Sequence, residues 1–374
     1  MNIEITRDPQ KRIEMAKTIV MDKNAYYTQE VLDSYREIIR KNTKISDPEE
    51  LENELYKTIY YYWAYGCPVS EYYYLGFPNK THEEIKKYVT TREKVIYRNR
   101  LNKIEDAHIL NNKWDTYLRF KDYYHREVII IENESDYPFF SSFVDRHHEF
   151  VIKPTDMGGG SGVHKVSIDS SIAEEEKRKL FFEILSENKK NKKKYNRGQE
   201  NNVILEEMII QVPEMAVIHP DSVNGVRVTT VRVEDKVNIL YPWFKIGRNG
   251  QFLTSAVYGT LDACIDAETG KVNTLGYSET NEKFDIHPDT GVPILGFQIP
   301  QWEKLIETVT ELASSLNTIH YVGWDMVLTE KGWVLMEGNF SGDFMWQMCL
   351  ERGTKKEFEE LIGWKLDKQF WWEA

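Results

Sequence analysis

From Asp8 to Asp106 apolar residues recur at the three-and-four spacing of helices buried on one face, in "DPQKRIEMAKTIV", "TQEVLDSYREIIRKN", "DPEELENELYKTIYYYWAYG" and "THEEIKKYVTTREKVIYRNRLNKIED". Asp8-Pro9, Asp47-Pro48 and Thr81 with Glu84 supply N-terminal caps, so this first unit is predicted to be α-rich. Past Lys113-Trp114-Asp115 the period shortens to two. "EVIII", "EFVIKP", "GVHKVSI", "NVILEEMII", "GVRVTTVRVED", "VNILYPWFKI", "VGWDMVLT" and "GWVLMEGN" each read as a strand between turns. Two helical stretches interrupt them, "IAEEEKRKLFFEILSENKKNKKKYNRG" and "PQWEKLIETVTELASSL", which makes the remainder α+β. The aromatic run from Tyr60 to Phe77 fits a packed core better than a ligand groove. The basic tract from Lys189 to Arg197 fits a solvated charge run better than a phosphate site.

Between two of the predicted strands lies "TDMGGGSG", with glycines at 158, 159, 160 and 162. Both flanks alternate like strands, so the glycines form a β-hairpin tip and not the helix-opening loops GxxxxGK[ST] or GxGxxG. Two readings fit such a tip: a flexible turn, or a lid whose unobstructed N–H groups close over oxygen atoms. In the second, Ser161 adds a hydroxyl donor and Lys153, on the incoming strand, points an ammonium into the cleft beneath.

The segment "VGWDMVLTEKGWVLMEGNFSG" reads as two strands joined by Glu330-Lys331-Gly332 as a three-residue turn. With Thr329 facing Trp333, Asp325 falls opposite Glu337, and Asn339 lies two residues on along the same face. Facing carboxylates repel unless a cation or a shared proton lies between them. Two carboxylates and an amide oxygen suit a hard cation, Mg2+ rather than zinc. A pair of solvated surface acids is the alternative, weakened by the apolar neighbours Trp324, Met326, Val327, Leu335 and Met336.

Composition narrows the partners. The chain has 374 residues, 41% hydrophobic and 29% charged, which suffices for two or three packed units with clefts between them. A formal charge of -12 argues against nucleic acid or an anionic membrane surface as main partner, because both select a basic face. A nucleotide that carries its own metal stays compatible. Cys67, Cys264 and Cys349 are scattered without a CxxC spacing, which fits a reducing compartment. No run approaches the roughly 18 apolar residues of a membrane span, and the first residues are charged, so a cytoplasmic location is expected.

A glycine hairpin after a lysine-bearing strand, a Glu-Glu strand in "VILEEMI" and a closing D…ExN pair, in this chain order from about Leu110 to Gly342, resemble the ATP-grasp superfamily. The longer strings "YYYWAYG", "SVNGVRVTTV", "HPDTGVPILGFQIPQW" and "VGWDMVLTEKGWVLMEGN" resemble its sugar-transfer-associated branch, related to α-L-glutamate ligases. The resemblance implies two α+β subdomains clamping ATP, residues 109–210 with the glycine flap and 211–374 with the metal site, behind an α-rich N-terminal region over 1–108. By the same resemblance Lys113 and Lys153 contact ATP phosphates beneath Gly158, Gly159, Gly160, Ser161 and Gly162. Glu206, Glu207 and Met208 match the hinge that reads adenine, and Glu214 matches the ribose acceptor. Asp325, Glu337 and Asn339 match Mg2+ ligands, and Arg227 matches a residue holding the transferred phosphate or a substrate carboxylate. After "FKIGRNG" the chain departs from its relatives with "QFLTSAVYGTLDACID". The acceptor side is therefore left unassigned, with Lys245 and Arg248 as anion contacts there.

These parts imply an ATP-dependent ligase that joins a carboxylate, of an amino acid or sugar acid, to an amine through an acylphosphate, in amino-acid or cell-surface polysaccharide modification. Lys153, Arg227 and Arg248 would act on the transferred charge, with the N–H groups of Ser341 and Gly342 as oxyanion donors. Two alternatives stay open, a kinase acting on a small-molecule hydroxyl and a nucleotide-binding protein without chemistry. Neither the substrates nor an oligomeric state can be read from the residues.

Overall fold

The computed structural model describes residues 3–22, 25, 27–195, 202–254 and 259–366, the side chains of 188–195 excepted. Its first part is helical, with Pro9–Met21, Gln29–Asn42, Pro48–Tyr65 and Thr91–Leu101 as the longer helices. The caps are local chemistry. Asp8 accepts from the N–H groups of Gln10 and Lys11, Asp47 accepts from those of Glu49 and Glu50, and Thr81 and Glu84 cap each other reciprocally. Helix Pro48–Tyr65 stops at Gly66, whose φ of +71° turns the chain out of the helix. The aromatic run on both sides of that turn is core: Tyr60, Tyr72 and Phe77 are fully buried, and Tyr61 packs edge-on against Tyr72 at 4.7 Å between centroids.

Eleven strands follow among the described residues, all paired antiparallel. β1 (Val128–Ile131), β2 (Glu149–Pro154), β3 (His164–Ser167) and β4 (Val203–Glu207) form a four-stranded sheet in the order β1-β4-β2-β3. β5 (Gly225–Val233), β6 (Lys236–Ile246), β7 (Leu261–Cys264), β8 (Gly276–Tyr277), β9 (Lys283–Phe284), β10 (Tyr321–Thr329) and β11 (Gly332–Asn339) form a seven-stranded sheet in the order β11-β10-β5-β6-β7-β8-β9. The basic tract from Lys189 falls on the end of helix Glu174–Tyr195 and beyond, outside the described side chains. Among the described residues no helix is long and apolar enough to cross a membrane, and the three cysteines are free and buried.

Alternation along the strands of the larger sheet sorts its residues. Val226, Val228, Phe244, Ile246, Leu261, Ala263, Trp324 and Met326 face one apolar cluster together with helix Trp302–Ser314. The opposite face carries Val231, Leu240, Trp243 and Tyr321 into a second cluster, shared with the N-terminal helices. At its open end that face also bears Arg227, Lys245, Asp262 and Asp325. The helical region is fastened there by Asn102, whose amide donates to the carbonyls of Tyr321 and Phe340, both at 2.8 Å, and accepts from the N–H groups of His320 and Tyr321.

The β10-β11 hairpin differs from the expected register. Thr329 pairs with Gly332 across a two-residue turn, so Leu328, not Thr329, faces Trp333. A bulge between Asp325 and Met326 then inserts one residue and brings Asp325 back opposite Glu337. The facing carboxylates are present, but the bulge, not a three-residue turn, sets them.

Candidate active site

A cleft of about 330 Å³ opens between the two sheets, within the range of small-molecule sites. Its roof is the β2-β3 hairpin. The glycine tip folds through two successive turns, Ser161 N–H donating to Gly158 O at 3.3 Å and Val163 N–H to Gly160 O at 3.2 Å. Gly159 and Gly160 line the cleft, both at positive φ, whereas Gly158, Ser161 and Gly162 do not.

Beneath the tip Lys153 donates to Glu206 Oε2 at 2.7 Å, and the Arg126 guanidinium reaches the same oxygen at 3.1 Å. Burial by itself would raise Glu206, but Arg126 and Lys153 outweigh it and hold the carboxyl at about 2. Lys153 is pushed down by the same burial, only partly offset by Glu206. Glu206 thus binds two cations, and it and Lys153 both line the cleft. Glu207 accepts from Glu127 N–H at 3.0 Å and closes the β1-β4 ladder, while Met208 lines the cleft where the chain leaves the sheet. Lys113 opens helix Lys113–Phe120, donates to Met157 O at the base of the hairpin, and lies 3.6 Å from Glu337.

On the floor Arg227 binds both oxygens of Asp325, Nη2 to Oδ2 at 2.6 Å, and Lys245 approaches the same carboxylate at 3.5 Å. Burial disfavours Asp325's charge, but Arg227 and then Lys245 outweigh it and lower the carboxyl. Arg227 also lies over the Trp243 ring at 5.6 Å and 3.8 Å from Asp343. Arg227 is therefore engaged with the carboxylate implied to be a metal ligand. Asn339 lies on the same face, its amide 3.4 Å from Asp325 Oδ2.

Two expected contacts lie elsewhere. Glu214 is exposed on the short helix Pro213–Ala216, and Arg248 stacks over Phe284 at 5.3 Å; neither lines the cleft. Conversely Arg126, Thr260, Asp262 and Asp343 carry no motif in the sequence and are brought in by strand order. Only the alternation of Thr260 and Asp262 at the mouth of a strand hinted at a shared face.

Among the described residues no three His, Cys, Asp or Glu side chains gather as a ready metal cluster. Glu337 is less engaged than Asp325, with Lys113 3.6 Å away and the Asn339 amide beside Asp325 on the same face. The cleft is lined by Lys113, Lys153, Arg227 and Lys245 against the carboxylates of Glu206, Glu207, Asp262, Asp325, Glu337 and Asp343. Acids outnumber bases, so a polyphosphate must enter with a counter-cation. Hard oxygen donors few enough to leave room for phosphate fit Mg2+.

No curated protein matches the sequence. Solved structures similar to the chain include D-alanyl-alanine synthetase A from Vibrio cholerae, at 14% identity and a TM-score of 0.39 over 68% of this chain and 65% of that one. D-alanine-D-alanine ligase from Helicobacter pylori is similar at 16% identity and a TM-score of 0.42 over 71% and 64%. N5-carboxyaminoimidazole synthase from Aspergillus clavatus, in complex with ADP and 5-aminoimidazole ribonucleotide, is similar at 10% identity and a TM-score of 0.41 over 75% and 60%. The chain thus spans less than two thirds of the length of each. A profile of sugar-transfer associated ATP-grasp proteins matches residues 92–361, which takes in both sheets, the hairpin roof and the acidic floor. With well over half of its length matched, and two antiparallel α+β units behind a helical N-terminal region, the chain belongs to the sugar-transfer associated ATP-grasp family.

Proposed function

We propose that the chain is an ATP-dependent carboxylate-amine ligase that forms an amide through an acylphosphate. One observation carries this reading: a glycine-tipped hairpin with Lys153 beneath it closes over a floor where Arg227, Asp325 and Glu337 face the same cleft. In this reading the main chain near Met208 takes the adenine, and Lys113, Lys153 and the N–H groups of the hairpin take the phosphates. Asp325, Glu337 and Asn339 would hold Mg2+, which when bound neutralises phosphate charge and orients the terminal phosphoryl group. Arg227 exchanges part of its bond to Asp325 for the carboxylate substrate or the phosphoryl oxygens. The carboxylate oxygen then attacks the terminal phosphorus in line, ADP leaves, and an amine displaces phosphate from the acyl carbon. Arg248 and Glu214 would act only after movement toward the cleft. The residue ranges 1–108, 109–210 and 211–374 are proposed as the helical, lid and metal-binding units. The charged acceptor end suits amino acids and sugar acids.

The test is ADP release measured with ATP and Mg2+ against amino acids and uronic acids crossed with amines. The ligase reading expects turnover only with both substrates, and its loss in Lys153→Ala and Glu337→Ala. Turnover with a hydroxyl compound and no amine would replace it with a kinase. Full activity in either variant would overturn the site.

A further inference from the structure

Strand order spreads the charged residues of the floor over four neighbouring strands, in two facing pairs offset by two residues because Arg227 pairs with Trp243 and Lys245 with Gly225. Asp325 on β10 faces Arg227 on β5, and Lys245 on β6 faces Asp262 on β7. Three strand steps separate Asp325 from Asp262, about 14 Å at the usual spacing. Asp262 is therefore four strands from Glu337, beside which Lys113 lies at 3.6 Å.

Asp262 is 8% exposed and lines the cleft, and no described residue hydrogen-bonds or ion-pairs with its side chain. Lys245, its cross-strand partner, lies 3.5 Å from Asp325 instead. Thr260, on the same face two residues earlier, is 3% exposed, and its hydroxyl also has no partner among the described residues. A buried hydroxyl without a partner is costly, and beside it the Asp262 carboxylate faces the cleft, so a group entering the cleft can satisfy both. An acceptor-only carboxylate beside a hydroxyl selects a donor-rich cation, not an anion.

Resting on the ligase reading, we propose that Asp262 and Thr260 receive the ammonium of the amine substrate, and that Asp262 takes the proton its nitrogen must lose before attack. Burial lifts Asp262 to about 6, with Lys245 and Arg227 opposing the rise and Asp343 and Asp325 adding to it, so it is ionised yet basic near neutrality. The ammonium gives one proton to Asp262. The freed electron pair on nitrogen forms the C–N bond at the acyl carbon, the C–O bond to phosphate breaks, and phosphate leaves with the two electrons of that C–O bond. The second nitrogen proton leaves on the phosphate, and Asp262 returns its own to solvent.

Hydroxylamine separates the two half-reactions, because it is largely unprotonated at neutral pH and needs neither an ammonium site nor a base. Full-length wild type, Asp262→Asn and Thr260→Ala are assayed with ATP, Mg2+ and the amino acids and D-glucuronate as carboxylates. Hydroxylamine is the nucleophile in one arm; amino acids and glucosamine are the nucleophiles in the other. Asp262→Asn is expected to raise the ratio of hydroxamate to amide formation by about 100-fold. Thr260→Ala is expected to raise the KM for the amine by about 10-fold with kcat little changed. Equal loss of both products in Asp262→Asn, or amide formation at the wild-type rate, overturns the proposal alone. Wild type that forms hydroxamate with none of the carboxylates overturns the ligase reading and this proposal with it.

Discussion

At Glu206 two forces compete: burial opposes the carboxylate, and Arg126 and Lys153 restore it to a value of about 2, below the 4.5 of an exposed glutamate. Its lowered value contributes stability that is present above pH 4.5 and lost as pH falls through 2, so the contribution is full at neutrality. Glu206→Gln leaves two buried cations facing a neutral amide, and a loss of about 3–5 kcal/mol is expected in urea unfolding at pH 7. Glu71 has the opposite sign. Burial lifts it to about 7, against which the Thr91 N–H bond at 3.0 Å works only partly. A raised carboxyl contributes stability fully below pH 4.5 and loses it as pH rises through 7. Glu71→Gln keeps the acceptor oxygen and removes that cost. The variant should have the higher Tm at pH 8, by on the order of 3 kcal/mol in stability, with the difference fading by pH 4.5.

In the β2-β3 hairpin the glycines are not equivalent. Gly162 has φ +72°, and a Cβ there would lie 2.7 Å from Pro154 Cγ, whereas Gly158 has open space around it. Gly162→Ala should therefore distort the lid at a cost of about 1–2 kcal/mol. That cost corresponds to a KM for ATP raised by about 10-fold, and Gly158→Ala should show the smaller effect when both are measured by ADP release. Helix Thr91–Leu101 meets β10 through Asn102, which satisfies four backbone groups at once. Asn102→Ala leaves them buried without partners, and a loss of at least about 2 kcal/mol is expected from the denaturant midpoint.

Across the whole molecule, the helical region and the seven-stranded sheet share one apolar cluster, running from Ala16 and Tyr60 through Trp243 and Tyr321 to Phe358. The four-stranded sheet has a cluster of its own around Phe143, Phe150 and Phe181. The proposed division at 108 is then one of architecture and not of cooperativity. A chain starting at residue 109 would expose Val231, Leu240, Trp243 and Tyr321, and should be insoluble or lack a cooperative transition by tryptophan fluorescence. A soluble, cooperatively unfolding fragment would refute the shared core.

The parts of the fold legible in the residues were those set by neighbours in the chain. The caps at Asp8, Asp47 and Thr81, the period-two strands and the hairpin tip each depend on groups a few positions apart. The facing of Asp325 and Glu337 was legible for an incomplete reason, because no local signal marks the bulge that sets it. Arg227 and Asp325 are 98 positions apart, and Arg126 and Glu206 are 80 apart. Which charges meet follows from strand order, and strand order is fixed by packing both sheets at once. The sequence by itself determined the element types, the family and the residue kinds available for phosphate and metal. Only the tertiary structure decided that Glu206 binds two cations, that Arg248 and Glu214 lie away from the cleft, and that Asp262 faces it with no partner among the described residues. Charge depends on distance and desolvation, and both are properties of the assembled sheet.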